Sequence, residues 1–236
     1  MALPTIYFGK TRQVPIELFK ITMAAVAEML QFLPKHRRPI IKDLGHWGDS
    51  NMKKPYASWD WYQNTSLIEQ WRGYGQQVDA GIISNKLQSE PHRRTEPHID
   101  VALFDRDFTV KLNGGLLNFV FGISSPSLGC ILSVARFIKI NNRNIRQLTF
   151  RRMVHHEFGH ILGLVYRSQN CGTSGLEKNH CAGQRGPCAM RQTYSVEELI
   201  KKTLEEVRVK VILCPDCINE VQSYFPKRVI KISPPH

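Results

Sequence analysis

Apolar positions in this chain recur at two spacings, and the order of those spacings predicts its elements. Thr5 to Phe8 reads as a short strand. Ile16 to Leu33 is apolar at helical spacing, broken by Glu17, Lys20, Glu28 and Gln31 as on an amphipathic helix, and Pro34 with the basic run Lys35 to Arg38 ends it. The chain therefore opens β then α. From Lys42 to Tyr62 Gly, Trp, Asp, Asn and Pro accumulate, which predicts an irregular loop anchored by its aromatic residues. Gln76 to Leu87 has helical spacing, and Glu90 to Pro97 is a polar, proline-bounded connection into Ile99, Val101 and Leu103, one face of a strand. Leu117, Phe119 and Phe121 alternate in the same way, as do Cys130, Leu132 and Val134. Between these two predicted strands, Gly122 to Gly129 should be a loop or a short edge strand.

A helix is predicted next, from an N-cap near Asn144, with Gln147 three residues on, to Gly163. Phe150, Val154, Phe158 and Ile161 form its buried stripe, and Met153, His156, His160 and Gly163 an adjacent stripe that can face a cleft. Further on, Ser195 and Glu198 form a capping box that opens a segment ending before Cys214. Helix from Leu199 through Val211 fits that segment, and the alternation of Val207, Val209 and Val211 also fits a strand. There is no internal repeat and no low-complexity tract.

The second stripe carries chemistry. In His156-Glu157-Phe158-Gly159-His160, imidazoles four residues apart share one helix face and can reach one Zn²⁺, while Glu157 beside them can take a proton from a water on the metal. Gly163, three residues later, allows a left-handed exit that turns the chain beneath the metal. His155 points about 100° off the metal face, as a surface or supporting histidine. Two histidines do not complete a catalytic zinc site. Tyr166 stands at the usual spacing for a third ligand, but a phenol with a reference pKa of about 10 is a poor zinc ligand near neutral pH, so a packing or substrate-side tyrosine is favoured. His180 is the best alternative, the remaining downstream histidine before His236.

Composition narrows the setting. At 236 residues and 42% hydrophobic content the chain can bury a proper core as one domain or two closely packed subdomains. No apolar run reaches the ~18 residues needed to span a bilayer, and Met1-Ala-Leu-Pro-Thr5 lacks a basic leader, so a soluble, cytoplasmic monomer without a membrane partner is expected. The net charge of +12 is spread over short pairs such as Arg37-Arg38, Arg93-Arg94 and Arg151-Arg152, with no aromatic-rich nucleic-acid motif among them. Charge alone assigns no partner. Six cysteines without an export signal argue against a disulfide framework, and five of them follow position 170, a clustering that suggests metal ligation. Cys181 and Cys188 with Cys214-Pro-Asp-Cys217 can supply four thiolates to a closed structural zinc. A thioredoxin-like redox pair is the rival for Cys214 and Cys217, but it leaves Cys181 and Cys188 unexplained. Cys130 reads as core and Cys171 as a buried or loop thiol.

At these residues the chain resembles the archaemetzincins, a branch of the metzincin metallopeptidases. Their pattern joins HExxHxxGxxHC to CxM and a later CxxC. This sequence has His156-Glu-Phe-Gly-His160-Ile-Leu-Gly163, His180-Cys181, Cys188-Ala-Met190 and Cys214-Pro-Asp-Cys217, with Asn118-Phe-Val-Phe-Gly122 and Leu132-Ser-Val-Ala-Arg136 also similar. The resemblance covers about Val78 to Ile218. It departs from the pattern in one place: residues 164–179 stand where the family has two residues, an insertion that loop-closure entropy tolerates.

The resemblance implies a mixed α/β fold, metzincin-like, with a twisted mixed sheet packed on helices that include the one bearing the histidine motif. It implies a single metallopeptidase domain in which residues 1–163 hold the sheet and that helix, and 164–236 form a smaller zinc-bound C-terminal subdomain. It further implies two zinc ions, a catalytic one held by His156, His160 and His180, and a structural one held by Cys181, Cys188, Cys214 and Cys217. Met190 would form a Met-turn beneath the first metal, and Glu157 would be general base and acid in peptide hydrolysis. The substrate would be a peptide or protein, extended along the sheet edge between the loop Ile123 to Gly129 and the insertion with Tyr166. Tyr194, four residues past Met190, would either contact a transition-state oxyanion or pack. The competing class is a zinc-stabilised, non-catalytic binding module whose basic surface meets nucleic acid or an acidic partner.

Overall fold

Strand β1 (Thr5–Lys10) is followed by α1 (Ile16–Leu30), a 3-10 turn at Lys35–Arg37 and β2 (Ile41–His46). Next come α2 (Trp59–Asn64), β3 (Leu67–Ile68), β4 (Gln77–Asp79), α3 (Ala80–Gln88), α4 (Pro91–Thr95) and β5 (His98–Phe104). The short strands β6 (Phe108–Thr109), β7 (Lys111–Leu112) and β8 (Gly115–Leu116) lead to β9 (Gly122–Ser125) and β10 (Gly129–Ser133). A second 3-10 turn at Phe137–Lys139 precedes α5 (Arg143–Ile161), α6 (Val196–Val209) and α7 (Pro215–Tyr224). This computed structural model describes residues 4–46, 58–68, 76–112, 115–117, 119–126, 128–164 and 180–224.

The main sheet has the order β2-β1-β5-β10-β9. Its first four strands are parallel, and β9 returns antiparallel at the edge. Parallel neighbours require crossovers, and the crossover from β1 to β2 contains α1. β5 and β10 are buried on both faces, so they carry apolar residues at odd and even positions. Ile6, Phe8, Ile99, Val101, Leu103, Cys130 and Leu132 pack with α1 and α5 on one side. Ala102, Phe104 and Ile131 pack on the other with Trp59 and Tyr62 of α2 and Ile83 and Leu87 of α3. Cys130 is thus core, as expected. The mixed α/β class also holds. No helix among the described residues is long and apolar enough to cross a membrane.

Several local expectations are corrected. The irregular loop expected from Lys42 to Tyr62 begins inside β2 (Ile41–His46) and ends inside α2 (Trp59–Asn64), and its residues 47–57 lie outside the described residues. β2 is an edge strand whose first residues are exposed, so main-chain pairing defines it and no apolar alternation signals it. α2 is capped by Ser58, whose hydroxyl accepts from Trp61 N–H at 3.1 Å. Gln76 to Leu87 splits into β4 and α3 because Asp79 caps the helix, accepting from the N–H groups of Gly81 and Ile82. Within Glu90 to Pro97 lies the short helix α4. Leu117, Phe119 and Phe121 form no strand; Val120 makes an isolated bridge to Phe108, and Phe121 packs on Phe119 and Phe137. The cap of α5 is Asn142 rather than Asn144, accepting from Ile145 N–H at 3.1 Å. α6 is helix to Val209 and closes on Lys210 in the left-handed conformation, so the strand reading of its valines is set aside.

Candidate metal centres

Helix α5 packs across the sheet and delivers His156, Glu157 and His160 to a cleft of about 500 Å³. Its walls include Leu117, Val120, Phe121, Ile123, Ser124 and Tyr194, with His180 across from the helix. Beyond His160, Gly163 takes φ +78° and its N–H bonds to the His160 carbonyl at 3.0 Å, the left-handed exit expected from the sequence. The turned chain then places Leu164 against Gly159, and residues 165–179, with Tyr166 and Cys171, lie outside the described residues.

The imidazoles of His156, His160 and His180 converge. Their ring centroids are 4.9, 5.1 and 5.1 Å apart, and ligand atoms of the three lie within 4.8 Å of one another. His156 donates from Nδ1 to the Ala189 carbonyl at 2.8 Å, which leaves Nε2 with its lone pair toward the cleft. Burial, followed by the proximity of His160 and His180, holds His156 well below the usual histidine range. Burial and His180 take His160 down to about 3, against a hydrogen bond to the Leu164 backbone. Near pH 7 the His156 and His160 rings are neutral, the state a metal requires of them. Glu157 is also buried, and burial pushes its carboxyl up to about 7, against a 2.8 Å hydrogen bond from Ser124.

Met190 packs directly beneath this helix. A Cβ added at Gly159 would collide with Met190 Sδ, so the absence of a side chain at 159 permits the close approach of the loop. Arg152, one turn before His156, is 3% exposed and donates to the Glu206 carboxylate at 2.9 and 3.0 Å and to the Arg191 carbonyl at 3.1 Å. It thereby joins α5, α6 and the loop that contains Ala189 and Met190. His155 is buried rather than superficial: its Nε2 bonds Glu28 of α1 at 2.9 Å, away from the cleft.

Next to His180, the second cluster begins. Cys181, Cys188, Cys214 and Cys217 are all buried, with their sulfur atoms within 4.8 Å of one another. Cys181 and Cys214 are 3.8 Å apart and Cys188 and Cys217 3.7 Å, far beyond a disulfide and close to the ~3.8 Å separation that a tetrahedron with Zn–S of about 2.3 Å requires. Packed so closely, the thiols cannot all ionise without a counter-cation. Hydrogen bonding among them drives Cys181 and Cys214 down and Cys188 and Cys217 up. A divalent cation resolves that conflict, so the donor set fits structural zinc. The Cys181 N–H bonds the Met190 carbonyl at 2.9 Å and the Ala189 N–H the Ile212 carbonyl at 2.8 Å, which ties the two clusters through one loop. A redox pair of Cys214 and Cys217 does not account for this four-fold convergence.

Fold and clusters together define a mixed α/β domain with three convergent imidazoles beside four convergent thiols. Over 95% of its length the chain superposes on the crystal structure of archaemetzincin from Methanopyrus kandleri, covering 97% of that chain with a TM-score of 0.57 and 16% sequence identity. The fold is archaemetzincin-like. Metalloproteinase-II from Bacteroides fragilis is similar over 88% of this chain and 52% of that one, at a TM-score of 0.35 and 14% identity. No protein-family model and no curated protein matches the chain.

Spacing in the sequence points to His156, Glu157 and His160, and the remaining downstream histidine to His180; the structure brings all four together. Ser124, Arg152 and Glu206 carried no such signal, because their partners in space are 33 to 54 residues away along the chain. Tyr194 stands on the cleft, 47% exposed.

Proposed function

We propose that the protein is a zinc-dependent peptidase in which Glu157 is general base and acid. One observation carries the proposal: three convergent imidazoles share a cleft with a buried carboxylate. His156, His160 and His180 would hold the catalytic zinc, and Cys181, Cys188, Cys214 and Cys217 a structural one. Bound at the imidazoles, zinc supplies Lewis acidity that acidifies a water and polarises the scissile carbonyl.

Each chain residue has a part in the reaction. Glu157 accepts the proton of the attacking water and delivers it to the leaving amine; a carboxyl raised to about 7 exchanges protons near neutral pH. Ala189 keeps the His156 ring in one tautomer and orientation. The substrate main chain lies along β9, the outermost strand on that side of the sheet, so backbone pairing supplies affinity and the cleft walls supply selectivity. Tyr194 is assigned to the substrate or its oxyanion, and Tyr166, by sequence position, to the same side. Residues 1–163 and 164–236 act as one metallopeptidase domain, the first bearing the general base and the second the third imidazole, the Met-turn at Met190 and the thiolate site. Buried cysteines free of disulfides agree with a reducing, cytoplasmic setting.

The experiment is peptide-library cleavage read by mass spectrometry, with zinc content measured in parallel. Wild-type protein with two zinc ions per chain should cleave. Glu157→Gln should keep both ions and lose on the order of 100-fold or more in rate, the usual weight of a general base. Equal cleavage by Glu157→Gln, or one zinc per chain that survives His156→Ala, would overturn the peptidase in favour of a zinc-stabilised binding module.

A further inference from the structure

The edge strand that walls the cleft also touches its carboxylate. Ser124 Oγ donates to Glu157 Oε2 at 2.8 Å, the one hydrogen bond this carboxylate makes among the described residues. The hydroxyl is mounted on a paired strand: in β9, Gly122, Ile123 and Ser124 face Leu132, Ile131 and Cys130 of β10. Approach is close along the strand. A Cβ at Gly122 would stand 2.8 Å from the Ile131 carbonyl oxygen and from Leu132 Cδ2, and 3.3 Å from Glu157 Cγ.

A glutamate needs such a support. Helix α5 fixes the Cα of Glu157, but three side-chain torsions, the last of them broad, separate that atom from the carboxylate oxygens. Held at the wrong angle, a general base close to its water loses rate without losing substrate. We propose that Ser124 is a positioning residue for Glu157, its hydroxyl fixing Oε2 so that Oε1 is presented to the water to be deprotonated. This rests on the peptidase reading and adds a residue to it. A hydroxyl that only satisfied a buried carboxylate would change stability and leave the turnover of folded protein alone.

The test compares Ser124→Ala, Ser124→Val and Ser124→Thr. Valine and threonine share a shape at this position and differ in the hydroxyl. On a peptide that the wild type cleaves, the alanine and valine variants should lose about tenfold in kcat with KM within about twofold, and threonine should restore kcat. Crystal structures supply a readout independent of turnover: the Glu157 carboxylate should spread over more than one rotamer in Ser124→Val and keep one in Ser124→Thr, with β9 unmoved. Wild-type kcat in Ser124→Val, a KM that rises as much as kcat falls, or a Glu157 carboxylate unmoved in that variant overturns the proposal. Should the wild type cleave no peptide at all, the peptidase reading fails, and the Glu157 rotamers alone decide the role of Ser124.

Discussion

Gly159 shows how much one residue of the motif carries besides its ligands. It sits between Glu157 and His160 with Met190 Sδ where a Cβ would be, so Gly159→Ala must displace the methionine or the helix. Overpacking of this kind costs about 1–3 kcal/mol, which urea denaturation of the variant should register as a lower midpoint at unchanged slope. An unchanged midpoint would mean that the Met190 side chain is free to leave. At the same scale, the ligand residues were legible in the sequence because their chemistry depends on type and spacing. His156 and His160 lie one turn apart on a helix, and His180 adjoins a cysteine of the second cluster. Ser124 and the Ala189 carbonyl were not legible. A serine in a loop-like run and a main-chain oxygen join the site only through sheet register and loop path, which spacing does not encode.

Between elements, one buried and one partly exposed contact hold α5 in place. The first is Arg152 with Glu206, a pair only 3% and 6% exposed. Arg152→Met would leave the buried Glu206 carboxylate with only the Arg191 guanidinium, 3.8 Å away, at a cost of up to about 3–5 kcal/mol, whereas a double change with Glu206→Leu should recover much of the loss. Denaturation of the two variants measures both, and equal stability of single and double variants would show the pair to be incidental. The second contact is Glu28 of α1, which accepts from Arg151 and from His155 Nε2. Burial alone would raise the Glu28 pKa, but the hydrogen bonds from His155 and Arg151 outweigh it and bring it below the ordinary 4.5. A carboxylate lowered by folding stabilises the protein above its unfolded value and ceases to do so as pH falls through the folded value. Stability should therefore decline on acidification below about pH 4.5, and less so in Glu28→Gln, as thermal melts across that range will show. Identical acid profiles would remove Glu28 from the account. Among the elements, α1 was legible because its burial is periodic, with Leu18, Phe19, Thr22, Ala25, Val26, Met29 and Leu30 inside. β2 escaped notice because an edge strand with an exposed start has no apolar alternation to display.

For the whole molecule, the sheet and the two clusters form a connected device. β9 brings Ser124 to Glu157, α5 brings two imidazoles, and the loop from His180 to Met190 brings the third imidazole, two thiols and the carbonyl that orients His156. Disturbing the thiol cluster should therefore reach the imidazoles. Cys214→Ser should lower zinc content and melting temperature together, because metal binding to a structural site is folding free energy, and full stability with unchanged zinc would refute the four-thiolate assignment. The proposed pair of zinc ions, one among imidazoles and one among thiolates, can be located by their own scattering. Diffraction from crystals of the zinc-loaded protein on either side of the zinc absorption edge tests the pair most directly. Two anomalous peaks are expected, one bounded by His156, His160 and His180 and the other by Cys181, Cys188, Cys214 and Cys217; a single peak among the cysteines, with the imidazoles bare, would rule out the catalytic zinc.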